Sequence, residues 1–496
     1  MEQLRISDNK RYLETSNGIP FPWLADTVWT MPQRMKWDDV EYLMKRRKAQ
    51  GFTVLQICAL DPERDVEMRT PAGEPALIDR DLDRPNERYF EYLDYILDKA
   101  EEYGFYVLLL PVWGQLVVGD DWGGGVYEKT VWEDNAYAYG QWIGRRYKDR
   151  DNILWCLGGD RMPIHKGVDY RNVWRRMAEG LAKGLTGEDV RYNEPSPVWE
   201  SLMITYHACH EAETGRCSSM SYFDDSEKWI RFIMLQSGHN STPKNYELIR
   251  TEYERARTMP VWDGEPAYEG MPTEFPTGMD VPRHGSWMVR RRAYWGLLAG
   301  GFGHTYGHAS VWCSVSEKEC YSSKGIPINP MSPCTWYEAL SCEGAEQMRY
   351  LRAFMESLRI MTAIPCQQIL LDDCLREGEL DRHAQAAAAP DGEYVCVYLP
   401  SGGKAHLDLS SVWNRDEAVL WRWSPRDGKF YTGDGNQTEH GERISVSDPL
   451  SVNVPTEGEE QDWILLLTAS EAEKPIAEFV FDQEEEKIEN KKVFEW

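Results

Sequence analysis

The feature that most constrains this chain is a repeated alternation between short, continuously apolar runs and longer amphipathic stretches. FPWLADTVW (21–29) precedes WDDVEYLMKRRKAQ (37–50), and GFTVLQICAL (51–60) precedes YFEYLDYILDKAEEY (89–103). GFYVLLLPVWG (104–114) precedes NAYAYGQWIGRRYKD (135–149), and NILWCLGGD (152–160) follows. LMITYHAC (202–209), WIRFIMLQSGH (229–239), MPVWDGEPAYEG (259–270) and GFGHTYGHASVW (301–312) complete the series. Runs without polar alternation mark strands buried on both faces, as in a parallel sheet covered by helices. Eight such strands, seven of them with an intervening helix, predict a (β/α)8 barrel whose site lies at the carboxyl ends of the strands. A doubly wound sheet would carry a glycine-rich phosphate turn after an early strand, and neither GxGxxG nor GxxxxGK[ST] occurs.

The pattern changes near residue 365. After a helical stretch over 333–358, short alternating runs (EYVCVYLP, AHLDLSS, AVLWRWSP, GKFYTG, ISVSDP, DWILLLTA) are separated by PDG, SGG, PRDG and GDGN turns. The fold class expected is therefore α/β: a barrel over 1–362 followed by a small antiparallel β-sandwich over 363–475. AQAAAAPDG (384–392) reads as a mobile lead-in to the sandwich, and 476–496 as a final strand with a charged tail.

Composition excludes several roles. A net charge of −27 disfavours nucleic acid and anionic membranes, which would repel it. No run of about 18 apolar residues predicts a membrane span. The 11 cysteines show no CxxC spacing, and the start lacks an apolar signal region; together these predict reduced thiols and a cytoplasmic location. The 21 tryptophans and 26 tyrosines are more than a core needs, and Trp29, Trp113, Trp262 and Trp312 follow strand-like runs. Flat rings of this kind stack on the C–H faces of sugars.

The strand exits carry the chemistry. The fourth apolar run ends on Gly158, Gly159 and Asp160; the seventh delivers Asp263 and Glu265, with Tyr268 and Glu269 beyond. Either acid alone reads equally well as structural, Asp160 as an ion-pair partner of Arg161 or a helix cap, Glu265 as a loop residue. Two acids closing buried strands four and seven, 105 positions apart, are what glycoside hydrolysis needs: one protonates the leaving oxygen, the other attacks the anomeric carbon or activates water. Polar residues at other exits are candidate substrate contacts: Asp26, Gln56, His207, Gln236, His304 and Tyr306, beside Trp29, Trp113, Trp312, Arg161, Tyr268 and Glu269. Asp263 is expected to touch substrate or to orient Glu265 or a backbone amide. Apart from GHTYGH, the histidines lack ligand spacing, and neither metal nor cofactor is expected.

NGIPFPWLADTVW, KRRKAQGFTVLQ, NILWCLGGDR, LQSGH, PVWDGEPAYEG and AYWGLLAGGFGHTYGH together resemble glycoside hydrolase family 140, whose best-known activity is β-D-apiosidase. The resemblance spans about residues 10–360; the later strands resemble the collagen-binding-type β-sandwich that follows the barrel in such proteins, expected here as a structural partner. It implies Asp160 as acid/base, Glu265 as nucleophile and retention of anomeric configuration. Barrels of this clan usually place Glu on strand four, and Asp160 is a methylene shorter. Unless the backbone supplies the reach, the carboxyl gap would exceed the roughly 5–5.5 Å of retaining enzymes.

The mechanism sets further expectations. Burial and the Glu265 charge should raise the Asp160 pKa, with Arg161 directed elsewhere or onto Glu269. His207, Gln236 or Tyr306 should keep Glu265 ionised. A cytoplasmic enzyme would meet terminal apiosyl residues on small glycosides or oligosaccharides. The alternatives are an exo-glycosidase for another pentose or deoxy sugar, a non-catalytic carbohydrate-binding protein, and a collagen-binding adhesin, which the acidic charge disfavours. The sugar, the linkage, the aglycone and the oligomeric state are not encoded in any motif.

Overall fold

The computed structural model describes all residues except 64, 120–126, 275–280, 333, 377–380, 447–448, 470–473 and 481–496. Eight strands form one sheet: β1 (Trp23–Thr27), β2 (Val54–Cys58), β3 (Tyr106–Leu110), β4 (Ile153–Gly158), β5 (Ile204–His207), β6 (Ile233–Leu235), β7 (Val261–Asp263) and β8 (Gly303–Tyr306). Among the described residues every pairing in this sheet is parallel, in the order β6-β7-β8-β1-β2-β3-β4-β5. Between β5 and β6 the ring is drawn together by the Arg231 amide on the Ile204 carbonyl (2.9 Å) and the Thr205 hydroxyl on the Phe232 carbonyl (2.6 Å). Each apolar run thus supplies one strand of a barrel, buried on both faces as a helix-covered parallel sheet requires.

The helices follow from the amphipathic stretches: α1 (Trp37–Ala49), α2 (Glu87–Glu102), α3 (Glu133–Tyr147), α4 (Arg171–Thr186), the short α5 (Ser219–Tyr222), α6 (Asn245–Tyr253), α7 (Ser286–Leu298) and α8 (Glu343–Leu358). In α2 the side chain of Asn86 accepts the Arg88 amide at the start, and Tyr89, Phe90, Leu93, Ile96, Leu97 and Ala100 bury one stripe. α3 and α4 pack nearly backbone to backbone: a β-carbon on Gly180 would sit 2.1 Å from the Tyr137 carbonyl. The helical stretch over 333–358 is two helices, Trp336–Ala339 and α8.

At the amino ends of the strands Trp23, Phe232, Trp262 and Phe302 plug the barrel, with ring centroids 5.3–6.5 Å apart. Trp262 therefore belongs to the core, and the expectation that it faces a sugar is corrected. Its position on a three-residue strand points it inward at the closed end.

The chain then enters the antiparallel domain: β9 (Ile364–Pro365), β10 (Gln385–Ala388), β11 (Tyr394–Leu399), β12 (Gly402–Leu407), β13 (Glu417–Ser424), β14 (Lys429–Tyr431), β15 (Glu442–Ser445), β16 (Leu450–Glu457) and β17 (Trp463–Thr468). One sheet runs β9-β10-β11-β17-β13-β14 with β15 on β13; β12 pairs with β16. The alanine run is not a mobile lead-in. β10 is fully buried and pairs along its length with β11, because small side chains on both faces let it lie between two packed layers. Residues 476–480 form no strand, and the charged tail beyond them lies outside the described residues.

α7 joins the two sheets. The Arg290 guanidinium makes two bonds to the buried Asp462 carboxylate (2.8 and 2.9 Å), the Trp287 indole donates to the Pro400 carbonyl (2.8 Å), and the Trp295 indole to the His383 carbonyl (2.8 Å). Arg290–Arg292 are nonetheless almost wholly buried, since one face of α7 meets the barrel and another meets the second domain. Among the described residues no helix is long and apolar enough to cross a membrane.

Candidate active site

The exit of β4 departs from ordinary backbone at three successive residues: Gly158 (φ +96°), Gly159 (φ +121°) and Asp160 (φ +42°). The glycines are required by space as well as conformation. A β-carbon on Gly158 would sit 2.3 Å from the His207 carbonyl, and one on Gly159 2.7 Å from the Trp113 ring. A non-glycine residue in this region is held there by its surroundings. Here the Asp160 amide donates to His207 Nδ1 (3.2 Å), Gln236 Nε2 donates to Asp160 Oδ1 (2.8 Å), and Arg161 Nη1 lies 3.1 Å from Oδ2. Gln236 is fixed in this orientation because its amide oxygen accepts the His210 amide (2.8 Å). The Asp160 side chain stays about one quarter exposed (24%), open to a ligand.

Arg161 corrects an expectation. It neither points away nor binds Glu269; it folds back on Asp160, also donating to that residue's own carbonyl. The left-handed turn at Asp160 brings the neighbouring guanidinium round to the same side as the carboxylate.

Glu265 lies two residues past β7, on the cleft floor. Its Oε2 is 2.7 Å from His207 Nε2 and its Oε1 3.1 Å from His239 Nε2. Burial acts to raise its pKa, but the two imidazoles outweigh burial and hold the carboxyl down to about 2. His207 is boxed between the edges of Trp29 and Trp113 (centroids 5.5 and 5.8 Å). Because its Nδ1 accepts the Asp160 amide, its single proton is on Nε2, aimed at Glu265. One imidazole therefore links the backbone of one acid to the carboxylate of the other. Of the donors expected for Glu265, His207 is present. Gln236 serves Asp160 instead, and the Tyr306 hydroxyl donates to Glu269 (2.7 Å).

Asp160 and Glu265 line one cleft of about 230 Å³ with Trp29, Trp113, Trp312, Gln236, His239 and Tyr268; Glu63, Cys209, His210, Asn240, Met271 and Met331 complete it. The Tyr268 ring lies 4.4 Å from that of His239, and its hydroxyl donates to Thr27 (3.1 Å), which also receives Gln56 Nε2 (3.0 Å). Gln56 thus braces the floor, with a second bond to the Gly264 carbonyl (3.1 Å).

Four other candidates are carried outside the strand ring, against the helices. Asp26 holds Arg47 of α1 (2.7 Å) and is wholly buried. Glu269 accepts from Tyr306 and from the Gly344 amide (3.0 Å), and burial raises its pKa. His304 is buried and its pKa is pushed down to about 3 by desolvation. The cause is register: Tyr306 pairs with Asp26 and His304 with Leu24, so both share the outward face of their strands. Asp263 orients backbone rather than meeting the cleft, accepting the Ser237 amide (3.2 Å) and hydroxyl (2.7 Å).

Residues 7–362 match the family described as "Apiosidase-like, catalytic domain". The chain belongs to the apiosidase-like family. It is a glycosidase by that membership. Residues 364–468 match the family described as "Putative collagen-binding domain of a collagenase". Two solved structures are similar over nearly the whole length. One is a glycoside hydrolase family 5 protein from Bacteroides vulgatus ATCC 8482, with 26% identity and a TM-score of 0.77 over 96% of this chain and 95% of that one. The other is titled "Glycoside hydrolase", with 25% identity and a TM-score of 0.77 over 96% and 98%. Among curated proteins there is no match.

The apiosidase-like cleft holds residues that the sequence pattern does not single out. His210, Glu63 and Asn240 sit on loops without periodicity. His239 stands out in the sequence only as a polar residue closing the sixth run, and its bond to Glu265 depends on how β6 and β7 pair.

Proposed function

We propose that this glycosidase, read as a family 140 enzyme, removes terminal β-D-apiosyl residues from small glycosides or oligosaccharides by a retaining double displacement. The observation that carries the reading is the setting of Glu265: a carboxyl group with an imidazole nitrogen against each oxygen, at the floor of a cleft that a second acid overlooks. In the first step a Glu265 oxygen bonds to the anomeric carbon as the glycosidic C–O bond breaks, and the Asp160 proton passes to the leaving oxygen. In the second step Asp160 takes a proton from water, the water oxygen bonds to the anomeric carbon, and the ester bond breaks to restore the Glu265 carboxylate. Two displacements at one carbon return its original configuration.

The Arg161 guanidinium steadies Asp160 Oδ2 (3.1 Å), a contact suited to the second step, in which Asp160 acts as base. For the first, the leaving-group oxygen has to draw Asp160 out of that contact. A cleft of about 230 Å³ has room for one sugar ring beside the two acids. Trp29, Trp113 and Trp312 supply apolar faces for the ring and the aglycone.

The test is a panel of nitrophenyl glycosides and plant apiosides, with NMR of the first-formed anomer. Turnover of the apiosides with the β-anomer appearing first is the expected result. Preferential turnover of another pentoside would keep the mechanism and change the sugar. First appearance of the α-anomer, or no turnover of any glycoside, would overturn the reading.

A further inference from the structure

The proton inventory of His239 points beyond the two acids. Its Nδ1 lies 3.0 Å from the Pro266 carbonyl and its Nε2 3.1 Å from Glu265 Oε1. A carbonyl and an ionised carboxylate only accept, so both nitrogens need a proton. With one proton, the ring would press a lone pair against an oxygen lone pair. His207 shows the contrast: a donor occupies its Nδ1, so one proton satisfies it.

The surroundings bear on this charge from several sides. Glu265 and, at longer range, Asp160 favour it. Opposing it is burial; His284, whose Nε2 faces the His239 carbonyl, has its own pKa pushed down to about 4, chiefly by burial, and adds no charge. Arg292 of α7, whose guanidinium holds the Asn240 and Ser241 carbonyls, lies behind the same segment. Tyr268 packs its ring alongside. Burial is the largest single influence, yet the hydrogen bond and charge of Glu265 outweigh it, and the His239 pKa lies above its ordinary 6.5.

We propose that His239 works as an imidazolium, a positioning residue whose fixed charge keeps Glu265 ionised and aimed, and whose deprotonation closes the alkaline side of the activity profile. The proposal rests on Glu265 being the nucleophile. Loss of the proton turns an attractive contact into a repulsive one on Oε1, releasing one side of the carboxylate. Activity therefore falls as pH rises through the His239 pKa, whatever the aglycone. The same charge has a cost and a benefit. It makes the carboxylate a weaker attacking group, and it makes that carboxylate a better leaving group when water cleaves the ester.

His239→Gln keeps an N–H donor and removes the titration. On an aryl glycoside, kcat should fall about 10–100-fold, the acid limb should move up by a unit or more as Glu265 loses its cationic neighbour, and the alkaline limb should lose its ionisation. Both limbs unmoved would overturn the proposal. Independently, ¹⁵N-histidine NMR of the wild-type chain near pH 7 should show one imidazolium that becomes neutral in Glu265→Gln; a neutral His239 in the wild type would also overturn it. The nucleophile reading fails separately, if Glu265→Gln keeps its activity. A dead Glu265→Gln with an unmoved His239→Gln profile removes only the role given to His239.

Discussion

Glu265→Gln exchanges one carboxylate oxygen for an amide NH₂ without changing the side-chain outline. In the wild type both oxygens accept from imidazole nitrogens, at 2.7 and 3.1 Å. In the variant the amide oxygen can still accept from His207, whose tautomer is locked by Asp160. The NH₂ then faces His239, which can shed its Nε2 proton and accept. The lowering of the Glu265 pKa from 4.5 to about 2 corresponds to roughly 3 kcal/mol favouring the ionised form. The destabilisation expected at neutral pH is of that order, and adaptation of His239 reduces it. Because the folded-state pKa is depressed, this contribution is present above pH 4.5 and is lost as pH falls toward 2. A loss of 3 kcal/mol leaves a protein of ordinary stability folded. Loss of the attacking oxygen should lower kcat by at least about 10⁴-fold, or some 5 kcal/mol in the barrier. The assay pairs kcat on an aryl glycoside with denaturant unfolding, and adds azide to Glu265→Ala. Azide should restore turnover and yield a glycosyl azide of inverted configuration. Activity of Glu265→Gln within tenfold of wild type, in a folded protein, would refute the reasoning.

Asp160→Asn should lower kcat/KM, which reports the first step, strongly on glycosides with poor leaving groups and far less on activated aryl glycosides, while kcat on the latter falls because the second step has lost its base; an equal loss of kcat/KM on both would assign Asp160 to positioning. Gly159→Ala places a β-carbon 2.7 Å from the Trp113 ring at φ +121°. It should displace Asp160 and cost about 10²-fold in kcat/KM, a loss typical of a misplacement near 1 Å, as steady-state kinetics would show. Asp462→Leu strands the buried Arg290 guanidinium between the two domains and should cost about 3–5 kcal/mol in denaturant unfolding. Arg290→Met with Asp462→Leu should recover most of it, and no recovery would mean that the pair does more than neutralise itself.

Of this protein, the sequence by itself determined the eight strands, the change of architecture near residue 365 and the two acids at strand exits. These are local signals: unbroken apolar runs report burial on both faces, turn residues punctuate the second domain, and a carboxylate after a glycine pair is visible without partners. Only the tertiary structure decided which polar strand residues meet in the cleft. Asp26, His304 and Tyr306 look like Gln56 and His207 in sequence, yet side chains alternate along a strand, and a one-residue difference in register sends them to the helix layer. The alanine strand β10 was illegible because its signal lies in the layers packed on it. The Glu265–His239 and Glu265–His207 pairs lie 26 and 58 residues apart. Nothing local in the chain specifies those contacts; they exist because closing the barrel brings the exits of β5, β6 and β7 around one cavity.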